Sequence, residues 1–480
     1  MIFRIVGILL FACFPLFAEN ASTPADSSAN SEKTGMTLAE YLTWPFSHIV
    51  QPALNVFVFP FSAPIHYAVK NNVVETGVDA ITFGKEKNIF IYPTFNLRPG
   101  ATTMVGFAYR HRNIFLSKDY LVLSAGLFAN SDLDFTARYT KRNVFGSEFF
   151  LGGRFDMGMD RDAGMSLPRS LTLRDSDEEF GFTDSSYSAE FRVGRPLPVI
   201  PNMDFQATFG FSRKRFDIPD VGDTVLANHP LFNPYDRGLY QKYCQFPLKL
   251  ALTFDNLDAP YVPTRGSRIS VSWNYVKVGD YGGENSNARS NEFSHDFQAL
   301  DLVAQHYFYL GKDSSQYGLS VKEARKSRKF YTDFSWEETM RLWRPENIRN
   351  TLLNRRVLAV QFRLRQMWEM EEGGAPFTAF STASTRYPLR GYGRVYTDYA
   401  MKGVSLEYRW PIDRLVDGVI FDEYVMYGRT WHSFDTDKLL NSWGFGVRVR
   451  KPDMYFFRLQ IGFHGLSGFV LICTIAPEFR

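Results

Sequence analysis

Apolar and polar residues alternate with period two in segment after segment from Ile89 to the end of the chain, and Gly, Asn, Asp and Pro separate the segments. In Met401 to Trp410, Val404, Leu406, Tyr408 and Trp410 share one face, while Gly403, Ser405, Glu407 and Arg409 share the other. Tyr455, Phe457, Leu459, Ile461 and Phe463 likewise oppose Phe456, Arg458, Gln460, Gly462 and His464. The same holds for Phe205 to Ser212 and for Leu358 to Arg365. Strands of a soluble sandwich average about 5 to 6 residues, whereas these run to about 10, with aromatics near their ends. They predict an all-β fold: a 16-stranded antiparallel transmembrane outer-membrane β-barrel, in which closing the sheet pairs every backbone group.

The pattern places strands near 89 to 97, 101 to 112, 119 to 130, 132 to 142, 146 to 157, 185 to 195, 203 to 213 and 245 to 255, then 266 to 278, 293 to 310, 354 to 370, 401 to 411, 418 to 429, 441 to 451, 454 to 464 and 468 to 477. With the N-terminus in the periplasm, 158 to 184, 214 to 244, 279 to 292 and 371 to 400 become long extracellular loops, and 256 to 265 a short periplasmic turn. The 371 to 400 loop is expected to fold into the lumen. Residues 311 to 353 break the pattern: they are charged and helix-like, and strand parity makes them a periplasmic helical insertion.

Ahead of the barrel, expected over 89 to 480, residues 1 to 18 read as an export signal: Arg4 is the positive region, Ile5 to Ala12 the apolar core and Leu16-Phe17-Ala18 the cleavage site. A Ser-, Ala- and Asn-rich tether follows at 19 to 35, then an aromatic, Pro-broken stretch at 36 to 88 that predicts a short helical N-terminal cap. Cys13 loosely matches a lipid-attachment site, but the bulky Phe11 stands where small residues are usual. Cys244 and Cys473 fall on opposite walls of the barrel and are expected to be free.

Aromatics make up 16% of the 480 residues and charged residues 22%, which excludes wholesale disorder. Past the signal the longest apolar stretch, Asn55 to Val69, is cut by Pro60 and Pro64 and is shorter than the roughly 20 residues of a spanning helix. A net charge of +3, with Lys and Arg spread along every segment, gives no nucleic-acid face.

Two passages carry a resemblance. The first runs Asp255-Asn256-Leu257-Asp258-Ala259-Pro260-Tyr261-Val262-Pro263-Thr264-Arg265-Gly266 into an alternating strand. The second is Leu389-Arg390-Gly391-Tyr392-Gly393, then Leu406-Glu407-Tyr408-Arg409-Trp410-Pro411, then Phe421-Asp422-Glu423. Together they resemble the bacterial surface-antigen, outer-membrane assembly-factor superfamily, the barrels related to BamA and TamA, over about Ile89 to Arg480. The resemblance implies that Arg390, Gly391 and Tyr392 form a loop tip in the lumen. It also implies that Glu423 on the wall receives Arg390, with the adjacent Asp422 as rival and Glu407 and Arg409 as further wall partners, and that Asp255, Asp258, Pro263 and Gly266 join two strands. It further implies a barrel that opens between its first and last strands to insert or pass a polypeptide or lipid-linked client.

The chain departs from that pattern in three ways. No POTRA repeat is readable in Glu19 to Asn88, Val425 stands where the family has Gly, and Phe479-Arg480 replaces a terminal aromatic. A periplasmic partner substituting for the repeats is therefore expected, beside the outer-membrane lipids. Plainer readings exist for each residue: Arg390 as a solvated loop arginine, Glu407 and Arg409 as water-lining wall residues, Asp255 and Asp258 as turn formers. No nucleophile elbow, phosphate loop or metal-ligand spacing appears, so neither an enzyme nor a cofactor or metal is expected. A passive porin or solute channel is the first alternative, and an outer-membrane enzyme with a loop-borne active site the second.

Overall fold

The computed structural model describes residues 82–475 apart from 85–87, 99–100, 117–118, 129–132, 167, 169–178, 199, 218–236, 238–241, 259–262, 283–294, 311–355, 372–373, 384–388, 394, 412–415, 433–438, 452–453 and 466–467. The expected export signal, tether, N-terminal cap as far as residue 81 and 311 to 353 insertion lie outside the described residues.

A two-residue strand, β1 (Thr82–Phe83), precedes β2 (Ile89–Arg98), β3 (Ala101–Arg112), β4 (Asp119–Phe128), β5 (Leu133–Arg142), β6 (Phe150–Ser166), β7 (Glu179–Pro196), β8 (Met203–Asp217) and β9 (Lys242–Asp255). Then come β10 (Gly266–Gly282), β11 (Phe297–Tyr309), β12 (Val357–Glu369), the short β13 (Ser381–Ala383) and β14 (Tyr396–Asp398), β15 (Ala400–Pro411), β16 (Val416–Gly428), β17 (Leu440–Lys451), β18 (Met454–His464) and β19 (Gly468–Ile475). Without the three short ones, these are the sixteen expected strands. Each pairs antiparallel with the next, β12 with β15 across the short pair, and β19 pairs with β2.

The alternation sets the faces. Outward-pointing apolar residues stay exposed, among them Phe107 at 66%, Leu127 at 58% and Phe469 at 69%. The opposite, inner face carries Ser405, Glu407, Glu423, Ser442, Arg448 and Gln460, all buried. Trp410 departs from its expected outward exposure. It is fully buried, because its indole lies over Gly418, the residue directly opposite it on β16, where any Cβ would collide with the ring.

Two loop expectations are corrected. Strands β6 and β7 run well into the expected 158 to 184 loop, and β8 and β10 extend past residues 213 and 278. After Gly158 the sequence reads Met-Asp-Arg-Asp and loses its apolar face, yet pairing resumes past a bulge, from Arg161–Asp184 to Ser166–Glu179. Backbone hydrogen bonds need no greasy face once one ladder aligns the next.

The other correction is that 371 to 400 is not simply a loop. It holds a 3-10 turn at Phe377–Ala379 and the β13–β14 hairpin sheet. The turn's Phe377 is packed edge-on against Phe216 and Phe182, with ring centroids 4.8 and 5.1 Å apart, in a cluster with Tyr243, Phe297, Met367 and Phe380. Leu389, Tyr396 and Ala383 form a second cluster with Met401, Val425 and Tyr427 of the wall. At about 25 cal/mol per Å² of apolar area buried, two such clusters hold this connection against the inner face.

Candidate functional site

The strand-turn passage is local architecture. Asp258 Oδ1 accepts hydrogen bonds from the amides of Thr264 (2.8 Å) and Arg265 (3.1 Å), while Asn256 Oδ1 accepts from Ser267 N at 2.8 Å. Asp255 accepts from Leu257 N at 3.1 Å. Gly266 has φ +100°, and a Cβ there would collide with the Asn256 carbonyl, so only glycine suits the start of β10. Pro263 is buried beside it. These residues close a turn, and nothing in their geometry holds a ligand.

The second passage converges on one charged cluster. Arg390 lies in the β12–β15 connection, next to the fully buried Leu389. Its Nε donates to Glu423 Oε1 at 2.7 Å, its own amide donates to Glu423 Oε2 at 2.7 Å, and Nη1 donates to Glu407 Oε2 at 2.8 Å. Glu423 also accepts from the hydroxyls of Ser442 (2.9 Å) and Ser405 (3.3 Å). Glu407 also accepts from Arg409 Nε and Arg448 Nη2. Two nearly dry carboxylates thus meet three guanidiniums, each oxygen with a donor, which is the condition under which buried charge is tolerated. The planar fork lets one arginine bridge carboxylates on two adjacent strands.

Packing fixes the same arginine from the other side. Its guanidinium stacks on Phe421 at 3.7 Å, and the Phe421 ring lies against Gly444 of β17. The loop backbone descends onto β18 as well, where a Cβ on Gly462 would meet the Arg390 carbonyl at 2.6 Å. Gly444 and Gly462 are directly opposite each other, so the pair leaves a smooth floor for the loop tip. His464 bonds the Gly391 carbonyl at 2.9 Å, and its ring lies 5.1 Å from that of Tyr392.

Asp422 faces the other way. Its oxygens accept from Tyr424 Oη at 2.8 Å and Asn441 Nδ2 at 2.9 Å, and it is half-buried. It sits midway along β16, made tolerable there by those two donors. Sequence reasoning missed Ser442, Arg448 and the glycine floor, and gave Phe421 and Ser405 no part in the cluster. The signal was present in Gly444-Phe445-Gly446-Val447-Arg448, which repeats small or cationic residues at every inward position.

A separate anchor holds the far end of the connection. Arg237, only 4% exposed, pairs with Glu369 and donates to the Ala375 carbonyl and to Tyr399 Oη, both at 3.0 Å. Its carbonyl accepts from Phe377 N at 2.8 Å, and Val395 O accepts from Ser166 N at 2.9 Å. The β12–β15 connection therefore touches the β8–β9 loop and the end of β6 as well as β15 to β18.

Sixteen long antiparallel strands, apolar outside and polar inside, with an arginine-tipped connection seated on two wall glutamates, define an outer-membrane protein of the assembly-factor type. The Omp85 superfamily domain matches residues 119–465, and the chain belongs to that superfamily. BamA from Haemophilus ducreyi lacking POTRA domains 1–3 is 13% identical, with a TM-score of 0.50 over 81% of this chain and 70% of that one. CdiB from Acinetobacter baumannii (11% identity, TM-score 0.45, 81% and 59% covered) and CdiB from Escherichia coli (8%, 0.47, 80% and 62%) also match. The likeness to BamA is one of fold. No curated protein matches the sequence.

Proposed function

We propose that the sixteen strands close into a barrel spanning the outer membrane of a Gram-negative bacterium. The β12–β15 connection plugs the lumen, and the wall opens between β2 and β19 to insert or pass a polypeptide or lipid-linked client. The protein does this without catalysing a covalent reaction and without a cofactor. A periplasmic partner brings the client.

One observation carries the reading. Among the described residues the β19–β2 ladder consists of Phe95–Ile475, Asn96–Thr474 and Leu97–Cys473, whereas β11 and β12 pair without a break from Phe297–Glu369 to Tyr309–Val357. The lower part of β2 takes β1 as its neighbour instead, Ile89 opposite Phe83 and Phe90 opposite Thr82. Pro93 lies between the two pairings and cannot donate to a ladder. An edge so briefly paired is a template for an incoming strand. The exposed outward aromatics support a lipid-facing wall, since water contact over so wide an apolar surface is unfavourable.

The seam supplies its own test. Cys473 is free and lies directly opposite Leu97, at a separation that suits a disulfide in an antiparallel pair. Leu97→Cys should form that bridge under mild oxidant, and locking the seam should abolish client insertion into vesicles, with recovery on reduction. A locked protein as active as the parent refutes opening at this seam. Planar-bilayer recording separates the channel alternative: a plugged barrel gives small flickering conductance, a porin a large steady one.

A further inference from the structure

The inner faces of β5 to β8 hold charge that the Arg390 cluster does not use. A cavity of about 460 Å³ opens there, at the end of the sheet marked by the Asn143 and Asn202 turns. Arg138, Arg192, Thr140 and Gln206 line its interior, and Arg142, Glu148 and Asp204 stand exposed at its rim.

Arg138 lies directly opposite Arg154, a like-charged pair on one face of neighbouring strands. Such pairs are destabilising unless an anion sits between or beside them. Asp156 of β6 and Glu190 of β7 are already engaged. Arg154 donates to Asp156 Oδ1 at 2.8 Å, an atom that also accepts from Thr136 Oγ1, and Arg192 donates to Glu190 Oε2 at 3.1 Å. Among the described residues Arg138 forms no ion pair, and its buried Nε has no hydrogen-bond partner. Gly152 lies between Thr140 and Arg192, and its missing side chain leaves the space open: a Cβ there would make only ordinary contacts, 3.6 Å from the Thr140 hydroxyl and 3.8 Å from Arg192.

We propose that this cavity binds a phosphate ester, its phosphoryl oxygens held by the guanidiniums of Arg138 and Arg192 with Thr140 and Gln206 as further donors. A planar fork fits a phosphate in two-point fashion, and a cavity this much larger than a bare phosphate accommodates the ester's organic part. A phospholipid headgroup and a soluble phosphate ester present the same chemistry.

Removing Arg138 gives opposite results with and without ligand. Full-length protein in maltoside micelles is melted with and without glycerol 3-phosphate at constant ionic strength. Parallel samples from phosphatidylglycerol vesicles are examined by native mass spectrometry for retained lipid. The parent should melt higher with glycerol 3-phosphate or keep one lipid. Arg138→Gln should melt higher than the parent in phosphate-free buffer, because a repulsion is gone, and should lose the ligand response and the lipid by at least tenfold. Gly152→Leu, which fills the cavity and leaves every charge in place, should also abolish both. Lipid retention assigns a lipid headgroup, and a glycerol 3-phosphate response without lipid assigns a soluble ester. No response to either probe in the parent, an unchanged response in Arg138→Gln, or a lower ligand-free melting temperature for that variant overturns the proposal.

Discussion

Replacing Arg390 by alanine removes two charge-assisted hydrogen bonds of 2.7 and 2.8 Å and a stack at 3.7 Å, while the amide bond to Glu423 can remain. Breaking a buried pair by deleting one partner costs about 3 to 5 kcal/mol, because it strands the other charge. The low end applies here. Glu407 keeps Arg409 and Arg448, and Glu423 keeps two serine hydroxyls. A loss of about 3 kcal/mol lowers the docked fraction of the loop relative to the undocked by on the order of a hundredfold. Conductance in planar bilayers should then rise, and heat-modified mobility on gels should shift to lower temperature. Arg390→Lys should recover less than half, since one ammonium cannot bridge two carboxylates on adjacent strands while stacking on Phe421. Adding Glu423→Gln to Arg390→Ala should cost less than the two single changes summed, as expected of direct partners. If Arg390→Ala, Glu423→Ala and Glu407→Ala all leave both readouts at parent values, the cluster does not hold the loop and the reasoning fails.

Arg237→Ala should release the other end of the connection, removing the ion pair to the nearly dry Glu369 while the Tyr399 hydroxyl stays on that carboxylate, and should make the segment around Phe377 exchange its amides faster without altering the Arg390 end. Gly462→Val should block seating of the loop tip, because a side chain there meets the Arg390 backbone, and should raise conductance with the strands intact by circular dichroism. Cys244 and Cys473 lie on β9 and β19, with seven strands between them in either direction around the pairing order, so mass spectrometry without reductant should find both thiols free. A native bridge between them would contradict the strand order.

The sixteen long strands were legible in the sequence because each carries its own period-two record of a greasy and a wet face, a signal local to about ten residues. Their pairing order is sequential, each long strand beside the next in the chain across short turns and long loops alike. Where the record stopped, at Met159-Asp160-Arg161-Asp162, the reading ended β6 too soon, because ladder hydrogen bonds extend a strand without regard to side-chain polarity. Arg390, Glu407, Arg409 and Glu423 stand in the sequence as a motif, but the fifth charge of their cluster, Arg448, reaches it from β17. Only side-by-side register brings residues 390, 407, 423 and 448 within one hydrogen-bonded group. The tertiary structure alone decided that Gly444 and Gly462 form the floor under that loop. It alone set Arg237 to grip the connection's other end, and Arg138 to lie directly opposite Arg154 at the edge of an open cavity. Each of these depends on distance across strands or loops far apart in the chain, which no local pattern of hydrophobicity records.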